Sequence, residues 1–127
     1  MSFDWKEFLS LAEELSANAG EAANRTAISR AYYCAFNFAF ARAESTVGKK
    51  PWDVASHKWC WEQYKRTSNS LCRRLGNAGD RMKRMRVNAD YSKTDMPRLN
   101  EEVQRILEDA RQFLSDLNAL DLKYPRP

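Results

Sequence analysis

The sequence predicts an all-α protein, built as an antiparallel bundle of four to five helices. Apolar residues recur every three or four positions through most of the 127 residues. Only four Gly and four Pro are present, too few to separate many short strands. A hydrophobic content of 43%, with four Trp, five Tyr and six Phe, excludes a disordered chain. The length predicts one domain that covers residues 1–127.

Residues 25–40 form the most apolar stretch and predict the central helix. The stretch contains neither Pro nor Gly, and apolar side chains cover most of its circumference at about 3.6 residues per turn. A thin seam of small or polar residues, which includes Arg30, interrupts them. A helix that is apolar nearly all round is buried. The apolar surface around residues 28–40 is more than one small bundle can cover, so the sequence predicts a homodimer.

The remaining helices are predicted from periodicity and from residues typical of helix ends. Asp4 and Glu7 have the spacing of a capping box, and Asp53 is a candidate N-cap of the third helix. Ser68 or Asn69 is expected to cap the fourth. The predicted helices span about 4–16, 21–45, 53–66, 70–88 and 98–120, with residues 90–97 as a turn and residues 118–127 as a frayed end.

Two glycines interrupt the apolar stripe of the fourth predicted helix. Gly76 and Gly79 each cost ~1 kcal/mol relative to Ala in a helix interior. Such a cost is understandable where a neighbouring helix approaches closely. The alternative is a kink at this point, and the sequence leaves both open.

The net charge of +4 is unevenly distributed. Residues 58–86 contain nine Lys or Arg against two acids, whereas the other amphipathic segments are acidic. A positive face on an otherwise balanced domain suits an anionic partner such as nucleic acid. The alternative is an ordinary solvated helix surface.

Cysteine and histidine content argues against a metal site or a disulfide framework. The three cysteines form no C-x-x-C pair, and the chain has a single histidine. Buried reduced thiols in a cytoplasmic protein are expected. Acids at residues 4, 7, 13 and 14 interrupt any apolar N-terminal region, and no apolar run could span a bilayer, so neither a signal peptide nor a membrane partner is expected. No cofactor is expected.

Two motifs resemble those of the HEPN family. The segment S-R-A-Y-Y-C-A-F at 29–36 is similar to the signature of its second helix, and R-V-N-A-D-Y at 86–91 is similar to the Arg-x-x-x-Asp-Tyr form of its late-helix motif. The motifs stand in the expected order, and the resemblance covers about residues 4–117. It implies a dimerising bundle of four to five helices in a prokaryotic defence or toxin–antitoxin system. A nucleotidyltransferase-like protein is the partner that the resemblance implies.

Many HEPN domains are metal-independent endoribonucleases, whose signature is an Arg followed after four to six residues by a His. Arg86 matches the Arg, but Tyr91 stands where the His would be after four intervening residues. A phenol with an ordinary pKa of ~10 is a poor substitute for imidazole near neutral pH. His57 belongs to another predicted helix. It could act as the base if the fold brings it to Arg86, and otherwise it is a core or capping residue.

The candidate site follows from this resemblance and from the basic segment. Arg86, Tyr91 and His57 are the catalytic candidates. Alternatively, Arg86 forms a structural ion pair with Asp90, one helical turn later. The candidates for RNA binding are Arg30, Arg81, Asn88 and Asp90.

Other motif residues have simpler expected roles. Arg30 would otherwise cover apolar surface with its stem. Ser29 is expected to bond a backbone carbonyl one turn back. Tyr32 and Tyr33 are expected to pack in the core with their hydroxyls at its edge.

Two functions are therefore predicted. The first is an RNA- or nucleotide-binding protein of HEPN type, with metal-independent RNA cleavage as its enzymatic form. The second is a non-catalytic module that binds a nucleotidyltransferase or another protein.

Overall fold

The structure is a computed structural model that describes residues 3–18 and 20–126. Within these residues the chain forms helices and loops without a strand, which confirms the predicted all-α bundle. The five helices are α1 (Lys6–Ser16), α2 (Glu21–Val47), α3 (Ser56–Lys65), α4 (Ser70–Tyr91) and α5 (Leu99–Lys123). None of them, over the described residues, is long and apolar enough to cross a membrane.

Helix α2 is central, because it packs against all four other helices. Sequence neighbours α1 and α2, α3 and α4, and α4 and α5 are antiparallel pairs. Helices α2 and α5 instead run parallel, since contacts join their corresponding ends. Near their N-termini Asn24 donates a hydrogen bond to Asn100 at 3.2 Å, and near their C-termini Arg42 donates to Asp121 at 2.7 Å.

The apolar stripes of the helices form the core. On α2, Ile28, Tyr32, Ala35 and Ala39 are fully buried within a single chain. The α5 stripe is buried along its whole length, at Leu99, Val103, Ile106, Ala110, Phe113, Leu117 and Leu120.

One bundle thus covers much more of α2 than the sequence suggested. The uncovered part is a half-buried strip that contains Tyr33, Asn37 and Phe40. The homodimer stays a prediction.

One of the predicted caps is confirmed: Asn69 is the N-cap of α4, and its side chain accepts a hydrogen bond from the Cys72 N–H at 3.0 Å. The predicted capping box of Asp4 and Glu7 is not formed. Trp5 is the N-cap of α1, and Asp4, one residue earlier, accepts a hydrogen bond from the Lys6 N–H at 3.0 Å. The prediction that Asp53 caps α3 is wrong. A turn closed by the Val54 N–H and the Pro51 carbonyl occupies these residues, and α3 begins later, with Ala55 at its N-cap.

Two helices extend beyond their predicted ends. Helix α4 continues to Tyr91, so Asp90 lies in its last turn rather than in a connecting loop. Helix α5 continues to Lys123, and residues 118–123 are therefore helical rather than frayed. Asp121 fixes this end, because it pairs with both Arg42 and Arg126.

The glycines of α4 mark a close approach of α3 and not a kink. A Cβ atom at Gly79 would overlap the indole ring of Trp61. One at Gly76 would lie 2.6 Å from the Lys65 side chain and 3.0 Å from Cβ of Tyr64. Helix α4 is continuous through both glycines, so they provide the shallow surface on which α3 packs.

Candidate functional site

Aromatic and charged side chains from three helices meet around Arg86, and we call this group the Arg86 cluster. Helix α2 contributes a hydroxyl and three aromatic rings, α3 contributes an imidazole and an indole, and α4 contributes an ion pair. The members are Ser29, Tyr32, Tyr33, Phe36, His57, Trp61, Arg86 and Asp90.

The close packing of α3 on α4 brings His57 into this cluster. Trp61 lies against Gly79, and His57 is one turn before Trp61 on α3. Because the two helices are antiparallel, one turn back on α3 corresponds to one turn forward on α4. His57 therefore lies level with Lys83 and near Arg86. The sequence made His57 a catalytic candidate only if the fold brought it near Arg86. In the structure the two residues do lie near each other.

A chain of hydrogen bonds connects α3 to the central helix. The indole N–H of Trp61 donates to the hydroxyl oxygen of Tyr32 at 3.1 Å, and this oxygen lies 2.5 Å from Nδ1 of His57. The imidazole also stacks on the ring of Phe36, with centroids 4.0 Å apart. These contacts fix the position and the tilt of the imidazole ring.

Arg86 is a buried cation with incomplete hydrogen bonding. Its guanidinium carbon lies 5.6 Å and 5.4 Å from the ring centroids of Tyr32 and Tyr33, and the residue is 9% exposed. Nη1 donates to Asp90 at 3.3 Å, so the ion pair predicted as the alternative is formed. The Arg86 Nε atom is buried and has no hydrogen-bond partner among the described residues. Ser29 donates to Asp90 at 3.4 Å.

The rings of His57 and Tyr32 are uncharged at neutral pH. Burial, followed by the nearby charges of Arg86 and Lys83, lowers the pKa of His57 to about 4. Burial raises the pKa of Tyr32 well above its ordinary value of 10.0, although the hydrogen bond from Trp61 opposes the shift. The positive charge of the cluster is therefore carried by Arg86 and not by the imidazole.

Tyr91, the third catalytic candidate, lies apart from the cluster. It is 71% exposed. Five residues after Arg86 correspond to about 140° around the helix, so the two side chains point in different directions. The structure brings together Arg86 and His57 but not Arg86 and Tyr91.

The candidates for RNA binding are dispersed. Arg30 lies 4.9 Å from the ring centroid of Phe8 and so covers apolar surface on α1, as its alternative predicted. Arg81 is 3.6 Å from Asp109 of α5. Asn88 lines an open cavity of about 420 Å³ beside the α4–α5 connection. Only Asp90 belongs to the Arg86 cluster.

Ion pairs neutralise much of the basic segment. Five of its nine cations face an acid, in the pairs Lys65–Asp80, Arg66–Glu62, Arg74–Asp116, Arg81–Asp109 and Arg86–Asp90. Within the described residues Lys58, Arg73, Lys83 and Arg84 have no such partner. Lys83 was not singled out by the sequence, because nothing in a uniformly basic run distinguishes the lysine opposite His57.

The described residues favour neither a metal site nor a reactive cysteine. No three side chains of the types His, Cys, Asp and Glu converge there to hold a metal ion. Cys34 and Cys60 are free and buried. Burial raises the pKa of Cys34 to about 11, so its thiol stays protonated and unreactive.

Comparison of this chain with protein-family models, curated proteins and solved structures gave no match. The HEPN resemblance therefore rests on the two short motifs. Both motifs contribute side chains to the Arg86 cluster: Tyr32 and Tyr33 come from the first, and Arg86 and Asp90 come from the second.

Proposed function

We propose that this chain is a HEPN-type protein that binds RNA at the surface over the Arg86 cluster and acts as a homodimer. The observation that carries the proposal is the state of Arg86, a buried guanidinium with one ion-pair partner and donors left over. Buried polar groups are normally hydrogen-bonded, and exceptions are frequent at functional sites. Guanidinium groups are well suited to phosphate oxygens.

The surroundings of Arg86 suit an RNA strand. Lys83 and Arg84 lie on the same helix without an ion pair to any described residue, and they add positive charge that would attract the phosphate backbone. Tyr33 is half-buried beside Arg86 and offers an aromatic face at the edge of the cluster. Such a face can stack on an unpaired base.

Binding is favoured over cleavage. Metal-independent cleavage requires a base that removes the proton from a ribose 2′-hydroxyl, whose oxygen then attacks the adjacent phosphate and displaces the 5′-oxygen. A pKa of about 4 makes His57 a weak base at neutral pH. Tyr91 is exposed and directed away from Arg86. The residues proposed to bind RNA are thus poorly equipped to cleave it.

The test is an RNA-binding titration with a labelled single-stranded RNA at several salt concentrations. We expect Arg86→Gln to weaken binding by about tenfold or more, because a charge-assisted contact is lost. Arg66→Gln is the matched control, since Arg66 carries the same charge on an exposed side chain outside the cluster. Equal affinities of wild type and Arg86→Gln would refute the proposed site. Incubation of the same RNA in EDTA reports cleavage directly.

The second candidate function is a non-catalytic module that binds a nucleotidyltransferase-type or other protein. The Arg86–Asp90 ion pair and the hydrogen bond from Ser29 favour it, because they give Arg86 a structural role. A folded wild-type protein without RNA affinity, which forms a stable complex with such a partner in sedimentation experiments, would support this function. The same experiments on the chain alone test the homodimer.

A further inference from the structure

The hydrogen-bond chain Trp61–Tyr32–His57 determines which nitrogen of His57 carries the proton. An indole N–H can only donate, so the Tyr32 oxygen accepts the bond from Trp61. The phenol proton is then free to point at Nδ1 of His57, 2.5 Å away. Tyr32 is fully buried, and Nδ1 is the one acceptor that the described residues offer to its hydroxyl proton. We therefore infer that Nδ1 accepts this bond and that the proton of the neutral ring resides on Nε2.

The opposite edge of the imidazole faces outward. Nε2 makes no hydrogen bond to a described residue, and it is not among the buried side-chain atoms without a partner, so it reaches solvent. His57 is half-buried, with Phe36 against one face of its ring. Its Nε2–H group is thus a donor whose direction is fixed by the core.

Two further donors lie near His57 on α4, close enough for their charges to lower the pKa of the imidazole. Lys83 is one turn beyond Gly79, on the level of His57, and Arg86 follows three residues later on the same face. Lysine and arginine side chains are donors without an acceptor. Two acids lie on the same helix, and each already pairs with a cation: Asp90, one turn after Arg86, pairs with Arg86, and Asp80, one turn before Lys83, pairs with Lys65. The three groups therefore suit a ligand that only accepts hydrogen bonds.

We propose that His57, Lys83 and Arg86 form one oxyanion site that binds a phosphate group, in which His57 is a fixed neutral donor and not a proton acceptor. This inference rests on the proposed RNA-binding function and names the group of the RNA that the site takes, a backbone phosphodiester. A free phosphate has the same oxygen atoms and serves as the simplest probe. Because Tyr32 occupies the lone pair of Nδ1, His57 has no position left at which to accept a proton from the ribose.

The first test is nuclear magnetic resonance of the imidazole nitrogens in protein purified without a histidine tag. The chain has one histidine, so the signals need no assignment. We expect protonated Nε2 and unprotonated Nδ1 at neutral pH, and a saturable shift of the Nε2–H signal on titration with inorganic phosphate. In Tyr32→Phe, which lacks the hydroxyl, we expect a mixture of tautomers. A protonated Nδ1 in the wild type, or no saturable response to phosphate, would overturn the inference.

The second test compares two replacements of the ring. Glutamine at position 57 retains an amide donor near the position of Nε2, whereas phenylalanine retains the stacking on Phe36 without any donor. We expect His57→Phe to weaken phosphate binding by about tenfold, Lys83→Gln to do the same, and His57→Gln to have a smaller effect. Unchanged phosphate affinity in His57→Phe, or equal losses in His57→Gln and His57→Phe, would contradict a role of His57 as a hydrogen-bond donor to phosphate. Circular dichroism and denaturation establish that each variant is folded.

The two proposals can fail separately. If phosphate binds with the expected dependence on His57 and Lys83 but RNA does not bind, the oxyanion site holds and the proposed function fails. If RNA binding depends on Arg86 but is unchanged in His57→Phe and Lys83→Gln, the proposed function holds and the inference about His57 fails.

Discussion

The hydroxyl oxygen of Tyr32 lies 2.5 Å from Nδ1 of His57, and this contact connects the imidazole to the central helix of the bundle. Protonation of His57 would place a proton on Nδ1 and a charge beside Arg86. Burial is the largest cause that disfavours the charged form, and the charges of Arg86 and Lys83 add to it, so the pKa is lowered to about 4.

The stability of the fold should therefore fall on mild acidification. An unfolded histidine has a pKa of 6.5, above the folded value of about 4, so the unfolded chain binds the proton first as the pH decreases. Stability contributed by neutral His57 is complete above the unfolded pKa and is lost between that value and about 4. The ring is half-exposed and solvent reduces the effect, so we expect a loss of about 1 kcal/mol. Urea unfolding at about pH 7.5 and about pH 5 measures it.

The control for this pH dependence is His57→Gln, whose amide does not titrate. The variant should lose less stability than the wild type over the same interval. At lower pH the stability of the fold depends on a different group, the carboxylate of Asp121. Burial of Asp121 opposes its ionisation, but hydrogen bonds from Arg126 and Arg42 outweigh burial and lower its pKa below 3.8. The stability it contributes is lost only as the pH falls from that value. An identical pH profile for wild type and His57→Gln would contradict the lowered pKa of His57.

Gly79 is the position at which the fold and the Arg86 cluster depend most directly on each other. A methyl group there would overlap the Trp61 ring, which is 1% exposed and has no room to move. Overpacking of this kind costs about 1–3 kcal/mol, which exceeds the gain of about 1 kcal/mol in helix propensity. We expect Gly79→Ala to lower the free energy of unfolding and to disturb the imidazole signals of His57.

The matched control is Asn77→Ala on the exposed side of the same helix. It also improves helix propensity but adds no atom beneath α3. We expect its stability to equal or exceed that of the wild type. If Gly79→Ala were as stable as Asn77→Ala, the close approach of Trp61 to α4 would be refuted.

The sequence predicted the helices of the fold better than the contacts between them. Helix α5 has one apolar face and one charged face, and its span was predicted to within three residues at each end because periodicity reports burial directly. The two glycines indicated close packing of α4 without naming the partner. That His57 meets Tyr32 depends on how Trp61 packs on Gly79, a tertiary contact between positions far apart in sequence.

The candidate site was predicted only in part, because it also depends on contacts between residues that are far apart in sequence. Arg86, Asp90 and His57 were selected, and the structure joins them in one cluster. Tyr32 was expected to pack only, because its position in an apolar stretch conceals the hydrogen bonds of its hydroxyl. The charge count overstated the positive face, since acids on α5 that pair with α4 are distant in sequence.

Asp90 should restrain Arg86, so removal of its charge has opposite effects on binding and stability. In Asp90→Asn the guanidinium loses its ion-pair partner, and a repulsive carboxylate near the proposed phosphate disappears. We expect RNA and phosphate affinity to rise severalfold, by about 1 kcal/mol, while the free energy of unfolding falls by about 1 kcal/mol. Binding titrations and urea unfolding of the same samples give both quantities.

Asp116→Asn is the control for this change. Asp116 pairs with Arg74 at 3.3 Å on the α4–α5 side of the bundle, so the variant removes the same charge away from the cluster. We expect a small effect on both measurements. A loss of RNA affinity in Asp90→Asn would show that Asp90 supports the binding geometry of Arg86 and does not compete with the ligand.

Arg25 fixes the connection between α4 and α5 through its forked guanidinium. Nη1 donates to the carbonyls of Ala89 at 3.1 Å and Ser92 at 2.7 Å, and Nη2 donates to that of Thr94 at 2.7 Å. These carbonyls lie at the end of α4 and just beyond it, where the helix itself supplies no further donors. The single ammonium of Arg25→Lys lacks the planar fork that serves all three.

We expect Arg25→Lys to lower the free energy of unfolding by about 1–2 kcal/mol, because the part-buried carbonyls of Ala89 and Ser92 lose their partner. Amide hydrogen exchange should accelerate over residues 92–98 while remaining slow in the core of α5. Arg66→Lys is the control, since Arg66 is an exposed residue paired with Glu62 on its own helix. Because residues 92–98 directly follow Asp90, a loosened connection should also weaken the restraint on Arg86. Unchanged exchange in this segment would mean that the buried side chain of Met96, and not Arg25, holds the connection in place.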